Sequence, residues 1–199
     1  PVASFSAGDC EGLRASMWLC PVCGSRLRDV PRQLICEHGH SFDRAKQGYV
    51  NLLLAHRKHS ASPGDDKQMV NSRREFLECG YYRPLAARLG ALCIETANGS
   101  TGDFALLDTG CGEGYYTCAI ADVLRHAAQQ RHLWIGGIDI SRHAIGLAAR
   151  RCKTAEFAVA SNASIPVADA SLDCLVQVFA PGYDDEIVGC LKPGGCLLV

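Results

Sequence analysis

Leu107-Asp108-Thr109-Gly110-Cys111-Gly112-Glu113-Gly114-Tyr115 is the stretch on which the reading of the chain turns. It follows a short apolar run, Phe104-Ala105-Leu106-Leu107, and opens a segment, Tyr115 to about Ala128, whose apolar residues recur at helical spacing. Strand, glycine turn and helix in that order start a βα unit. The glycines let the backbone turn sharply and approach a ligand closely. A dinucleotide-binding loop would read G-x-G-x-x-G. Here the third glycine comes one residue early and Asp108 precedes the first, so the turn lacks the long cradle a pyrophosphate needs.

Working outward, strands are expected over Leu133 to Ile140, Phe157 to Ala160, Leu172 to Phe179 and Cys196 to Val199. Helices are expected over Ser141 to Arg151, with Ser141 as N-cap, and over Asp184 to Leu191, ended by Lys192-Pro193-Gly194-Gly195. Strand and helix alternation implies a parallel sheet with right-handed crossovers. Asp139 ends the second strand twenty-nine positions after Gly110, where an acid can accept both hydroxyls of a ribose. The alternative for Asp139 is a helix-cap or dipole role, and for the glycines a plain tight turn. Ser161-Asn162-Ala163-Ser164-Ile165-Pro166 follows the third strand.

These elements resemble the class I S-adenosylmethionine-dependent methyltransferases. The resemblance implies an α/β, Rossmann-like sheet, here cut short at its C-terminus, that binds S-adenosylmethionine. Asp108, Gly110, Gly112, Glu113, Gly114 and Asp139 stand at its cofactor loop and ribose positions, and Ser161 and Asn162 at its adenine-flanking loop.

A second constellation lies near the other end. Cys20-Pro21-Val22-Cys23 is a C-x-x-C pair, and twelve residues separate it from Cys36-Glu37-His38-Gly39-His40. Cys20, Cys23, Cys36 and His40 would close a tetrahedral site, because thiolate and imidazole suit zinc. His38 competes for the fourth position. A closed site has a structural role and folds a segment too small for its own core. Free thiols or a redox dithiol are the alternatives, but Cys20 does not follow a strand in a βαβ unit. Of the twelve cysteines, Cys79, Cys93, Cys111, Cys118, Cys152, Cys174, Cys190 and Cys196 are scattered through apolar stretches, which reads as a reducing cytoplasm.

The chain of 199 residues is 48% hydrophobic and 21% charged, with net charge -1, so no global field draws it to nucleic acid or membrane. Neither a transmembrane helix nor a signal peptide is legible. The expected division is a loose arm over 1–17, a zinc module over 18–45, a linker with helices over 46–100, and a methyltransferase domain over 101–199. In the linker, Asp65 or Asp66 is the expected N-cap after the break at Ser62-Pro63-Gly64, and Gly80 interrupts the helical spacing.

Together these features resemble the zinc-containing 23S rRNA (guanine-N1)-methyltransferases of bacteria, from about residue 18 to the end. Besides the zinc ligands, the resemblance rests on Ser41-Phe42-Asp43, Gly48-Tyr49-Val50-Asn51-Leu52-Leu53, Pro63-Gly64-Asp65, Gly80, Tyr82, Pro84-Leu85 and Gly110 through Thr117. It implies methyl transfer from S-adenosylmethionine to guanine N1 in a 23S rRNA hairpin, a homodimer, and a zinc module that helps hold the RNA. Tyr82, Gly112 and Glu113 stand where the family contacts the cofactor. The family's Ala-Pro-Cys segment is here Ala180-Pro181-Gly182. The start at Pro1 and the stop at Leu197-Leu198-Val199 imply a chain that continues for about 70 residues as helix and an antiparallel strand pair.

His56-Arg57-Lys58-His59, Arg73-Arg74, Arg26, Arg28, Arg32, Arg44 and Lys46 are candidates for a phosphate-holding face, against ordinary solvated charge. Tyr49, Phe179 and Tyr183 are candidates for base stacking. No base for the guanine proton stands out. Asp184 and Asp185 serve equally well as helix-capping acids. The competing functions are a class I methyltransferase acting on a small molecule and a catalytically silent zinc- and RNA-binding protein.

Overall fold

Phe104–Thr109 forms a strand buried at every position, and its side chains alternate between two cores. Phe104 and Leu106 enter one apolar cluster, and Ala105 and Leu107 enter the other. A strand covered on both faces belongs at the centre of a parallel sheet. The computed structural model, which describes residues 15–54, 64–100, 102–127 and 131–199, places it there.

The chain runs β1 (Ala15–Leu19), β2 (Arg26–Val30), β3 (Gln33–Ile35), β4 (Ser41–Asp43), β5 (Val50–Asn51), α1 (Lys67–Glu78), α2 (Arg83–Gly99), β6 (Phe104–Thr109) and α3 (Tyr115–Ala127). It continues through β7 (Leu133–Asp139), α4 (Arg142–Arg151), β8 (Glu156–Val159), β9 (Leu172–Val176), α5 (Asp184–Cys190) and β10 (Leu191–Leu198). Strands β1 to β4 make an antiparallel meander, and the six-stranded sheet has order β10-β9-β6-β7-β8-β5 with every pair parallel. The strand order reverses direction at β6, so β6 and its neighbour β9 flank the topological switch point where ligands bind in such sheets. This is the class I methyltransferase arrangement.

Local signals set the helix starts. Asp66 caps α1, its carboxylate accepting from Met69 N at 2.9 Å, and the Ser141 hydroxyl accepts from Ala144 N at the start of α4. Gly80, at φ +86°, parts α1 from α2. Two expected strand boundaries move by more than two residues. Strand β9 ends at Val176 rather than Phe179, because Phe179 takes a left-handed φ of +55° that no strand can include. Strand β10 begins at Leu191, and Lys192-Pro193-Gly194-Gly195 is an irregularity within it between the pairs Leu191↔Leu172 and Cys196↔Cys174.

The two faces of the large sheet are covered differently. Helices α2, α3 and α4 pack on one, where Leu89, Cys93, Ile120, Leu124, Ile145 and Ala148 meet Phe104, Leu106 and Ile135. The other is covered by the antiparallel meander together with α5: Trp18, Leu27 and Leu34 meet Leu107, Trp134, Ile138, Leu172 and Leu175. The Trp18 ring stands edge-on to Trp134 at 5.1 Å, and Leu19 N donates to Pro166 O at 2.8 Å. Strand β1 thus spans residue 17, and β5, in the expected linker, pairs with β8 at the edge of the large sheet.

Candidate functional site

Two tight turns build the metal centre. Gly24 N donates to Cys20 O at 2.8 Å and Gly39 N to Cys36 O at 3.0 Å, so each turn aims its side chains at one point. The ligand atoms of Cys20, Cys23, Cys36 and His40 all lie within 4.8 Å of one another. Their spacing fits zinc. Bonds of ~2.3 Å to sulfur and ~2.0–2.1 Å to nitrogen put tetrahedral sulfur–sulfur edges near ~3.8 Å and sulfur–nitrogen edges near ~3.6 Å. Cys23 Sγ lies 3.7 Å from Cys36 Sγ, and His40 Nδ1 lies 3.5 Å from Cys20 Sγ and 3.3 Å from Cys36 Sγ. His38 faces away, with its Nδ1 3.1 Å from the Ser25 hydroxyl, so the rival fourth ligand is not in the cluster.

The glycine loop after β6 forms one wall of a cavity of about 320 Å³. Gly110, Gly112, Glu113, Asp139, Ser161 and Asn162 all line it. Asp139 Oδ2 accepts from Gly112 N at 3.0 Å and Oδ1 from Ser141 N at 2.7 Å. A carboxylate has about four acceptor positions, so two remain for hydroxyl donors. Burial raises the Asp139 pKa against the lowering pull of those two backbone donors. Glu113 is 3% exposed, and burial pushes its carboxyl up to about 7 despite the charge of Arg151. Arg151 Nε lies 2.9 Å from Glu113 Oε2, an ion-pair distance without hydrogen-bond alignment, so neither Glu113 oxygen accepts a hydrogen bond among the described residues.

Three residues expected at the cofactor do not line the cavity. Asp108 is buried beneath the loop, where its Oδ2 accepts from the Thr117 hydroxyl at 2.5 Å, and burial lifts its carboxyl to about 7. It ties the loop to α3. Gly114, at φ +81°, lets the loop pack on α4, since a Cβ there would lie 3.0 Å from Ala148 Cβ. Tyr82 stands one ring back from the cavity, with its centroid 5.6 Å from that of Phe179, which does line it. Asn162 reaches the cavity, but its Nδ2 donates to Pro181 O at 3.1 Å, so half of its amide serves the loop after β9.

The structure also adds partners that the sequence did not show. Arg73, Val70 and Asp65 bring the start of α1 to the cavity. Arg151 joins Glu78 of α1 at 2.9 Å as well as Glu113. No local signal links residues this far apart along the chain. The expected basic face is thinned by ion pairs: Arg44 with Asp29, Arg73 with Asp65 and Arg74 with Glu78. Arg26, Arg28, Arg32 and Lys46 have no ion pair among the described residues, while His56-Arg57-Lys58-His59 lie outside them. Tyr49 is buried and its hydroxyl accepts from Arg142 Nε at 3.1 Å, so it is a core residue and not a stacking surface. Asp184 and Asp185 are exposed in the first turn of α5, and neither lines the cavity.

Comparison with known proteins agrees with this geometry. Residues 18–61 match the RlmA N-terminal zinc-ribbon family model, and residues 106–195 match a methyltransferase-domain model. The chain is 38% identical over 181 residues to the 23S rRNA (guanine(748)-N1)-methyltransferase of Streptomyces fradiae, an alignment covering 90% of this chain and 61% of that one. It is 36% identical over 196 residues to a candidate 23S rRNA (guanine-N1)-methyltransferase of Micromonospora griseorubida, covering 90% and 63%. It is 34% identical over 189 residues to another candidate of that activity from Bacillus subtilis, covering 92% and 63%. The chain therefore spans 61–63% of the length of these relatives. A zinc ribbon ahead of a methyltransferase domain, a four-ligand site of zinc dimensions and identities of 34–38% make the chain similar to the zinc-containing 23S rRNA (guanine-N1)-methyltransferases.

Proposed function

We propose that the protein transfers a methyl group from S-adenosylmethionine to N1 of a guanine in a 23S rRNA hairpin loop. The observation that carries this is the cavity at the switch point, where Gly110 and Gly112, the two open acceptor positions of Asp139 and the buried Glu113 carboxylate, ion-paired with Arg151 but accepting no hydrogen bond, converge. Two acceptors suit the paired hydroxyls of a ribose. A buried carboxylate with no hydrogen-bond donor suits the ammonium of an amino-acid tail. When bound, S-adenosylmethionine would supply a methyl group on a positively charged sulfur that leaves as a neutral thioether, and the proton on guanine N1 would pass to solvent.

The protein's own part is positioning, which can supply ~7–11 kcal/mol of a barrier when donor and acceptor are well aligned. Asp139 would hold the ribose hydroxyls of the cofactor and Glu113 its ammonium, while Ser161 and Asn162 border the space between β8 and the loop after β9. The zinc, held by Cys20, Cys23, Cys36 and His40, is structural: four protein ligands leave no open position. Arg26, Arg28, Arg32 and Lys46 then offer cations on the zinc module for RNA phosphates. The same reading gives the protein a cytoplasmic location and a homodimeric state. Among the described residues, no helix is long and apolar enough to cross a membrane.

Nucleoside analysis of rRNA tests the assignment. Deleting the gene should remove 1-methylguanosine from 23S rRNA, and the wild-type gene should restore it. An Asp139→Ala variant should bind cofactor more weakly by roughly 1–3 kcal/mol, the scale of a charge-assisted hydrogen bond, and restore it poorly. An unchanged nucleoside profile in the deletion strain refutes the proposal.

A further inference from the structure

Phe179 combines three features that seldom occur together. It is 79% exposed, although it is a large apolar side chain. Its backbone is left-handed, at φ +55°, a region costly for a bulky residue and kept only where the surroundings over-determine it. It also lines the mouth of the cofactor cavity.

The surroundings that hold it can be named. Ala180 sits against Gly110, where an added Cβ would collide with the Ala180 Cβ, so only glycine admits this approach. Gln177 Nε2 donates to Ala180 O at 2.7 Å. Asn162 Nδ2 donates to Pro181 O at 3.1 Å. The backbone just after Phe179 is thus pinned to Gln177, to the loop after β8 and to the cofactor loop itself. The ring is steadied from one side by Tyr82, edge-on at 5.6 Å with an interplanar angle of 89°. Tyr82 packs in turn on Phe76 at 5.8 Å. A strained, tightly pinned backbone that delivers a ring outward, to the edge of the reaction cavity, serves something that lies against the ring.

We infer that Phe179 is the stacking platform for the acceptor base, positioning the purine ring that is to be methylated across the cavity mouth. The inference rests on the methyl-transfer reading above and names the residue that sets the acceptor side of it. An unpaired base offers a flat π-face, and aromatic side chains hold such bases with little regard for their edges. Tyr82 packs edge-on against the Phe179 ring from the side of α1 and α2, with Phe76 behind it. Asp139 and Glu113 line the same cavity as Phe179, so donor and acceptor would meet between the glycine loop and the Phe179 ring.

The test uses the purified protein, unmethylated 23S rRNA, and the variants Phe179→Leu, Phe179→Ala and Phe179→Tyr. Phe179→Leu keeps an apolar side chain without a π-face. The expected result is that it loses roughly 5- to 150-fold in kcat/KM for the RNA, the range of a lost base stack. S-adenosylmethionine affinity by calorimetry and the thermal midpoint should stay near wild type. Phe179→Ala should fall at least as far, and Phe179→Tyr should stay within about threefold. A Phe179→Leu protein as efficient as wild type overturns the inference. So does a loss matched by an equal loss of cofactor affinity, and so does a large drop in thermal midpoint, which would make the ring a packing element. A wild-type protein that leaves the rRNA unmethylated overturns the methyl-transfer reading and this inference together, whereas the other adverse outcomes overturn this inference alone.

Discussion

The meander β1–β4 and the parallel sheet are organised by opposite means. The meander has strands of three to five residues, and its fully buried side chains, Trp18, Leu27 and Leu34, face the large sheet. Its own fold is closed by Cys20, Cys23, Cys36 and His40. The parallel sheet has two apolar layers, and it also buries ionisable groups, Asp108 and Glu113, where its cofactor loop is anchored. One region is small and gathers four metal ligands at its end. The other buries so much that its carboxyls lose their usual acidity. A small unit and a large one can thus share an interface while responding to different perturbations.

The largest effect expected from this contrast follows removal of one metal ligand. Cys23→Ser should abolish zinc binding and unfold residues 18–45, because metal binding is the folding energy of such a module. Metal analysis should find about one zinc per wild-type chain and none in the variant, and loss of the cover that Trp18, Leu27 and Leu34 give the sheet should lower the stability of the whole chain. Full zinc occupancy in Cys23→Ser would break the assignment.

Next in size is the interface between the regions. Trp18→Ala removes a ring that is 0% exposed and edge-on to Trp134, and should cost ~3–5 kcal/mol in denaturant unfolding. Zinc content should hold, because the ligands are untouched. Unfolding free energy within ~0.5 kcal/mol of wild type would show that the module is an appendage and not the cover of the sheet.

The smallest effect separates the regions by pH. Burial raises Asp108 and Glu113 to about 7, so between about pH 4 and 7 the folded chain holds protons that the unfolded chain has released. Their contribution to stability is therefore largest in acid and falls as pH rises through that window. The zinc module should respond in the opposite sense, losing its metal in acid as the ligands take protons. Asp108→Asn should flatten the decline of the sheet and be more stable than wild type at pH 8 by ~2–4 kcal/mol, since each tenfold change in acidity is worth about 1.4 kcal/mol. Parallel pH profiles for the variant and the wild type would show that Asp108 stays ionised and well solvated.

Much of the fold was legible because its signals are local. The order strand, glycine turn, helix around Gly110, the caps at Asp66 and Ser141, the break at Gly80 and the spacing of the four zinc ligands each depend on neighbours within a few positions. Strand ends were less legible. Nothing in Gln177-Val178-Phe179 announces a left-handed Phe179, because the contacts that impose it come from Gly110 and Asn162.

The sequence by itself determined that a βα cofactor loop and a C-x-x-C metal turn exist in one chain, and in which order. The glycine, cysteine and acid types at those spacings admit few other local conformations. Only the tertiary structure decided that the zinc module forms one face of the methyltransferase sheet, that Arg151 reaches Glu113, that Tyr49 is core, and that Asp108 lies beneath the cofactor loop instead of in the cavity. These depend on contacts such as Trp18 with Trp134, between residues far apart in the chain. Such contacts arise from which apolar faces remain uncovered once the local elements have formed, and local sequence patterns carry no record of that choice.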